Sequence, residues 1–295
     1  MTLLGYLFAF LATAAGSTKG AISKKLSIGI SGIDGNIMLN LARMAICTLI
    51  GLFAALAAGG AAALQISLAG LLISLLSAAS FTVFVLSWMA CARSGALIMI
   101  DIFLTAGVII PLISSQILWD VPVTLRQWCG FVILLVGVSI LCSYNKKIKN
   151  GMSLTLVSAL ILCGLANGVN SLSQKLFAAE CPEFGSFAFN FYTYLFSALF
   201  LLAVCAFRQI SLKRLAELKP HMAGLILISV FLYLNLFFKM LAACILPAAR
   251  IYPLIQGLGI INSAVIGAVF FKEPITRRSL CGLAVSSAAL FLINL

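Results

Sequence analysis

The chain has 295 residues, of which 63% are apolar and only 9% charged, and its mean hydropathy is +1.19. A soluble domain carries about 25% charged residues, so this composition excludes a water-facing globule and places the chain in a bilayer. The formal net charge of +12 points towards nucleic acid only until its distribution along the chain is read.

A spanning helix needs about 20 consecutive apolar residues. Runs of that length lie near residues 2–23, 36–57, 67–91, 95–117 and 124–144, and again near 153–176, 184–207, 221–243, 247–271 and 277–294. They are too long for the strands of about 10 residues that build a membrane barrel. The pattern predicts an all-α integral membrane protein with ten transmembrane helices. The first run has no basic leader and too long an apolar core for a signal peptide, so it is expected to stay as the first helix. The nine cysteines form no CxxC pair and sit mostly inside spans. They read as small packing residues rather than a disulfide framework or zinc site, and no metal or cofactor is expected.

The connections between spans sort the charge. Odd-numbered connections hold Lys24, Lys25, Arg93, Lys146, Lys147, Lys149, Arg208, Lys213, Arg214, Lys219, Lys272, Arg277 and Arg278, while even-numbered ones hold Arg126 alone. The positive-inside rule makes the odd side cytoplasmic and puts both termini outside. The basic surplus is therefore a topology signal, with lipid rather than nucleic acid as the partner.

The sequence also repeats itself. "WDVPVTLRQWCG" from Trp119 and "FKEPITRRSLCG" from Phe271 share Pro, Thr, Arg, Cys and Gly at an offset of 152. At offset 150, Asn40 meets Asn190, and Ser23, Lys25 and Leu26 meet Ser173, Lys175 and Leu176; at 152, Ala90, Ala96 and Gly107 meet Ala242, Ala248 and Gly259. Residues 1–145 thus read as one five-helix repeat, 146–152 as a basic cytoplasmic linker, and 153–295 as a second repeat. Five is odd, so the halves run in opposite senses across the membrane, the inverted-repeat logic of secondary transporters. The opening motif is then a turn at the end of each half, with Pro122 and Pro274 restricting the backbone and Thr124 and Thr276 capping the next helix.

The stretch "ARIYPLIQGLGIINSAVIGAVFFKEPITRRSLCG" resembles the last two helices of EamA-type proteins of the drug/metabolite transporter superfamily. The shared features are a proline early in the ninth helix, here Pro253, and an FxEx(I/L)T turn, here Phe271 to Thr276. Arg43 in "LARMAI" resembles an arginine common in their second helix. The resemblance implies a ten-helix carrier of small metabolites or drugs, built from two five-helix inverted repeats. The outside termini follow from the charges here and run against the habit of many relatives. Small exporters of this superfamily often use an acidic residue in the first helix for coupling, and "LLGYLFAFLATAAGSTKGAIS" has none.

A charge at mid-membrane costs a few kcal/mol or more, so each needs a partner, a wet cavity or a route to the headgroups. Arg43 and Asp101 lie at similar depth, and Asn36, Asn40 and Arg43 share one face. They are expected either to pair and lock the second span to the fourth, or to act as a gate or substrate contact. Lys239 and Arg250 flank the eighth connection with no predicted acidic neighbour, which favours a cationic pocket for a carboxylate or phosphate over snorkelling. Asn235, Tyr252 and Gln256 share faces with them, and Asn167, Asn170 and Gln174 form a stripe on the sixth span. Lys19 and Lys175, nearer span ends, are expected to snorkel. Trp88, Tyr192, Tyr194 and Tyr233 are expected to pack or anchor rather than stack on a substrate.

The expected function is secondary active transport, by alternating access across the cytoplasmic membrane, of a small anionic or zwitterionic metabolite of the amino acid, organic acid or phosphorylated sugar class. No P-loop GxxxxGK[ST] is present to drive it with ATP, so a coupled proton, an ion or a counter-substrate must do so. The alternative is an exporter of neutral or cationic drugs using Asp101 for proton coupling. A membrane-embedded enzyme is the remote alternative, because the lone His221 and the scattered carboxylates offer no catalytic pair. A channel would announce a re-entrant filter, and none appears.

Overall fold

A computed structural model of the chain describes residues 2–26, 32–93, 97–142, 153–271 and 277–294, and these residues form helices and short connections without strands. The helices are α1 (Thr2–Leu26), α2 (Gly32–Gly59), α3 (Leu68–Arg93), α4 (Leu97–Gly107), α5 (Ile109–Trp119), α6 (Leu125–Cys142), α7 (Leu154–Glu180), α8 (Ser186–Phe207), α9 (Met222–Ile245), α10 (Ala248–Phe271) and α11 (Arg277–Asn294). In lipid every backbone N–H and C=O must find its partner inside its own segment, which is why long apolar runs become helices.

α4 and α5 together make one rod with a joint at Val108, so the described residues form ten rods in all. The joint has a local cause. Pro111 has no N–H to give the carbonyl four residues earlier, that of Gly107, and its ring collides with it. At the same joint Val108 N bonds Thr105 O, three residues back rather than four, at 3.1 Å. Pro253 sits in the second turn of α10, where the same defect does not break the rod.

Seven segments are long and apolar enough to cross a membrane: Gly32–Leu64, Leu68–Cys91, Ile100–Trp119, Leu154–Glu180, Ser186–Phe207, Leu212–Ile245 and Ala248–Ile266. Leu125–Ile140 and Leu280–Asn294 are shorter apolar helices. Burial is inverted relative to a soluble protein. Leu3, Leu125, Leu154 and Phe207 are more than three-quarters exposed, whereas Ser74, Thr105, Gln174, Asn190, Thr193 and Ser286 are sealed inside. Lipid accepts the first group. In the second, short side chains bond back to their own helices: Thr105 Oγ1 donates to Asp101 O at 2.7 Å and Ser74 Oγ to Gly70 O at 2.8 Å. The molecule is an all-helical, multi-pass membrane protein.

The bundle interleaves its two halves. α1 packs on α9 and α10, α7 packs on α3 and α4, α2 packs on α8, and α6 packs on α11. α10 also touches both parts of the jointed rod. At the α4–α7 crossing the backbones meet directly: a Cβ on Gly107 would collide with Gly164 O, and one on Gly168 with Gly107 O.

Two faces are distinguishable. On one, Asp34 at the start of α2 pairs with Arg208 and Arg214 at 3.5 and 3.6 Å, beside the 3-10 segment Leu212–His221 that carries Lys213 and Lys219. This is the basic face. On the opposite face Trp119 Nε1 donates to Glu180 Oε1 at 3.1 Å, and Asp120 takes a left-handed φ of 49° before α6. The first turn motif behaves as its sequence predicts. Thr124 Oγ1 accepts from Gln127 N at 3.3 Å, while Gln127 Oε1 accepts from Thr124 N at 3.0 Å. The two bonds form a reciprocal cap. The motif's second copy at Lys272–Thr276, the linker 146–152 and the charges Lys146, Lys147 and Lys149 lie outside the described residues.

Candidate functional site: a polar cavity between the halves

A cavity of about 210 Å3 lies at the centre of the bundle, walled by α1, α3, α4, α7, α9 and α10. Its wall combines Thr13, Ser17 and Lys19 of α1, Asp101 and Thr105 of α4, and Asn167, Asn170 and Ser171 of α7 with Asn235, Lys239, Tyr252 and Gln256. Phe81, Phe84, Leu236 and Ile255 supply apolar patches. Both halves of the chain contribute polar wall, so neither half alone encloses the site.

Helical spacing explains the lining. Asn167, Asn170 and Ser171 recur at i, i+3 and i+4, as do Thr13, Gly16 and Ser17, and each set occupies one stripe facing inward. The amides are pinned by hydrogen bonds to neighbouring helices rather than left free. Asn235 Nδ2 donates to Ala12 O at 2.7 Å and Gln256 Nε2 to Leu104 O at 3.1 Å. Asn167 Nδ2 reaches the same Leu104 O at 3.4 Å, and Asn170 Nδ2 donates to Ser77 Oγ at 3.1 Å. With the donors so used, their carbonyl oxygens remain for a ligand or water.

Towards the face opposite the basic one, the cavity is closed by a knot around Ser171. Lys239 Nζ donates to Ser171 Oγ at 2.9 Å, and Tyr252 OH donates to Ser171 O at 2.6 Å. Lys239 Nζ also lies 5.5 Å from the Tyr252 ring centroid, within the range of a cation–π contact. Lys239 is 9% exposed and Tyr252 1%. Just beyond, Lys175 Nζ donates to Ala243 O at 2.8 Å and to Leu246 O at 3.0 Å. A cation there caps the open carbonyls at the end of α9. Towards the basic face the wall loosens. Gly20 is exposed, Lys19 and Asp101 are half-buried, and a Cβ on Gly20 or Gly259 would meet nothing within 4 Å.

Six of the residues singled out as substrate contacts meet here: Asn167, Asn170, Asn235, Lys239, Tyr252 and Gln256, together with Asp101. Others do not. Arg250 sits in the first turn of α10, off the cavity wall, because the helix turns it away from the face shared by Tyr252 and Gln256. Gln174 is fully buried on α7 beyond the cavity, with no partner for its amide atoms among the described residues. The Arg43–Asp101 pair is not formed among the described residues. Arg43 Nη1 donates to Asn40 Oδ1 at 2.9 Å, and Asn40 Nδ2 to Asn36 O at 2.8 Å and to Met89 Sδ. Arg43 is held on its own helix while Asp101 faces the cavity. Equal depth did not mean a shared side.

Lys19 and Lys175 also depart from the snorkelling expectation, since one lines the cavity and the other binds carbonyls. Tyr194 and Tyr233 pack in an aromatic core with Phe81 and Phe237, and Tyr194 OH donates to Leu232 O at 2.9 Å. Ser171, like Thr13, Ser17 and Thr105, is a wall residue that sequence reasoning passed over. Its only signal was its place in the Asn167–Asn170 stripe.

The fold recurs in a solved crystal structure described only as "Crystal structure of protein", which superposes with a TM-score of 0.75 over 99% of this chain and 95% of that one at 11% identity. No curated protein matches the chain. The model of the EamA-like transporter family, which belongs to the drug/metabolite transporter superfamily, matches residues 154–295, the stretch that contributes Ser171, Lys239 and Tyr252, and over that stretch the chain is similar to this family.

Proposed function

We propose that the protein is a secondary active transporter that carries a small anionic or zwitterionic metabolite through the central cavity by alternating access. The observation that carries this reading is the cavity itself. It is a polar chamber inside an apolar bundle, closed on one face and loosened on the other, with Lys19, Lys239 and Asp101 on its wall. Two cations against one carboxylate leave an excess of one positive charge, which suits a ligand carrying a carboxylate or phosphate. The volume suits a small metabolite, being below the roughly 300–1,000 Å3 of drug-sized pockets.

Ten spanning rods arranged as two inverted five-helix repeats, 1–145 and 153–295 joined by 146–152, supply the moving parts. The helix pairing supports that arrangement. α1 on α9 has its counterpart in α7 on α3, and α1 on α10 in α7 on α4; α2 on α8 and α6 on α11 each map onto themselves. The basic face would be cytoplasmic, with both termini outside. A second reading draws on Asp101, the carboxylate on the cavity wall. It makes the protein a proton-coupled exporter of neutral or cationic drugs.

Melting of the detergent-solubilised protein against matched anionic, zwitterionic, neutral and cationic metabolites tests both, since a ligand of the folded state raises apparent stability. A shift with anions or zwitterions that Lys239→Ala abolishes supports the first reading. A shift confined to cations or neutral compounds, lost in Asp101→Asn, replaces it with the second.

A further inference from the structure

The cavity walls are symmetric in pairing but not in closure. α7 touches α9 through Ser171 and Lys239 and through Lys175, yet among the described residues α1 makes no comparable contact with α3. The knot that closes the opposite face joins positions 171, 239 and 252. Carried back by the offsets of 150 to 152 in the repeat, these fall on residues 19–21, 87–89 and 100–102. Those turns lie at the loosened end of the cavity and include Lys19 on α1 and Asp101 on α4. Both side chains line the cavity, and among the described residues neither belongs to an ion pair. Among the described residues, each half-buried charge in this conformation is thus without the opposite charge that burial calls for.

We infer that Lys19 and Asp101 are the gate on the basic face, separated in this conformation and joined as an ion pair when α1 and α4 close on each other and the Ser171 knot opens. This rests on the alternating-access reading and adds to it the residues that seal the second face. The two locks then differ in chemistry. The knot seen here uses a hydroxyl, a backbone carbonyl and one lysine, while its counterpart uses opposite charges. Arg43 lies close enough to Lys19 to add to the positive field that Asp101 would enter.

The test reads exposure of the cavity from the basic face. Position 20 is exposed and has open space around it, so G20C reports the loosened end to a hydrophilic maleimide, with the labelling of the parent chain's own cysteines subtracted. In lipid nanodiscs, Y252F breaks the knot and should lower G20C labelling roughly threefold, the population shift expected from one lost hydrogen bond. Adding K19M or D101N should restore labelling, D101E should leave it low, and the exchange K19D with D101K should lower it again. If Y252F lowers labelling but K19M and D101N leave it low, the gate is overturned while alternating access stands. If Y252F changes nothing, alternating access about this knot fails, and the gate with it.

Discussion

The α4–α7 crossing and the α1–α10 crossing are both closely packed, yet they differ at two glycines that lie 152 residues apart in the sequence. At the first, Gly107, Gly164 and Gly168 bring backbones into direct contact; at the second, Gly259 has open space beside it. In the proposed two-repeat arrangement these glycines are equivalent positions, one tight and one with room beside it. The difference teaches where a side chain can be added: the backbone at Gly107 has no space to give, and Gly259 has space beside it.

The largest expected break of this comparison is Gly107→Ala. Its Cβ meets a backbone carbonyl that cannot swing aside, so the melting temperature should fall by the equivalent of about 1–3 kcal/mol. Gly259→Ala should stay within about 0.5 kcal/mol of the parent in the same measurement, and equal losses at both sites would erase the distinction. Next comes Lys175→Met, which strips two carbonyls at the end of α9 of their charged donor and should cost about 1–3 kcal/mol in thermal melts. Tyr252→Phe removes a single bond from the knot. It should cost the closed face about 1 kcal/mol, read as faster exchange of bound ligand rather than as a lower melting point. The smallest effect is expected at the basic face. Arg214→Gln removes one of two exposed partners of Asp34 and should change stability by less than about 1 kcal/mol, with the difference vanishing at high salt.

The helices were legible because hydropathy depends on local composition alone. The cavity was half legible. Asn167, Asn170, Asn235, Lys239, Tyr252 and Gln256 could be found because polar residues at helical spacing in an apolar span have to face inward. Periodicity fixes which residues share a face and leaves open what that face meets. Arg250 and Gln174 accordingly looked like cavity residues and lie off its wall, and Arg43 looked like the partner of Asp101 but bonds Asn40. Lys19 was assigned to the headgroups from its nearness to a helix end. Its surroundings are open for another reason: the cavity runs out to meet it.

The joint in the fourth rod bears on how much of the protein must move. Pro111 uncouples α4 from α5 at Gly107, so torque on the residues 97–107 side is not carried rigidly into the rest of the rod. A stiff beam of that length would drag its far end, and the connection to α6, through every swing. In the proposed closure a jointed rod would confine the displacement to an eleven-residue lever bearing Asp101, leaving the far half as a fixed fulcrum and the bilayer around it undeformed.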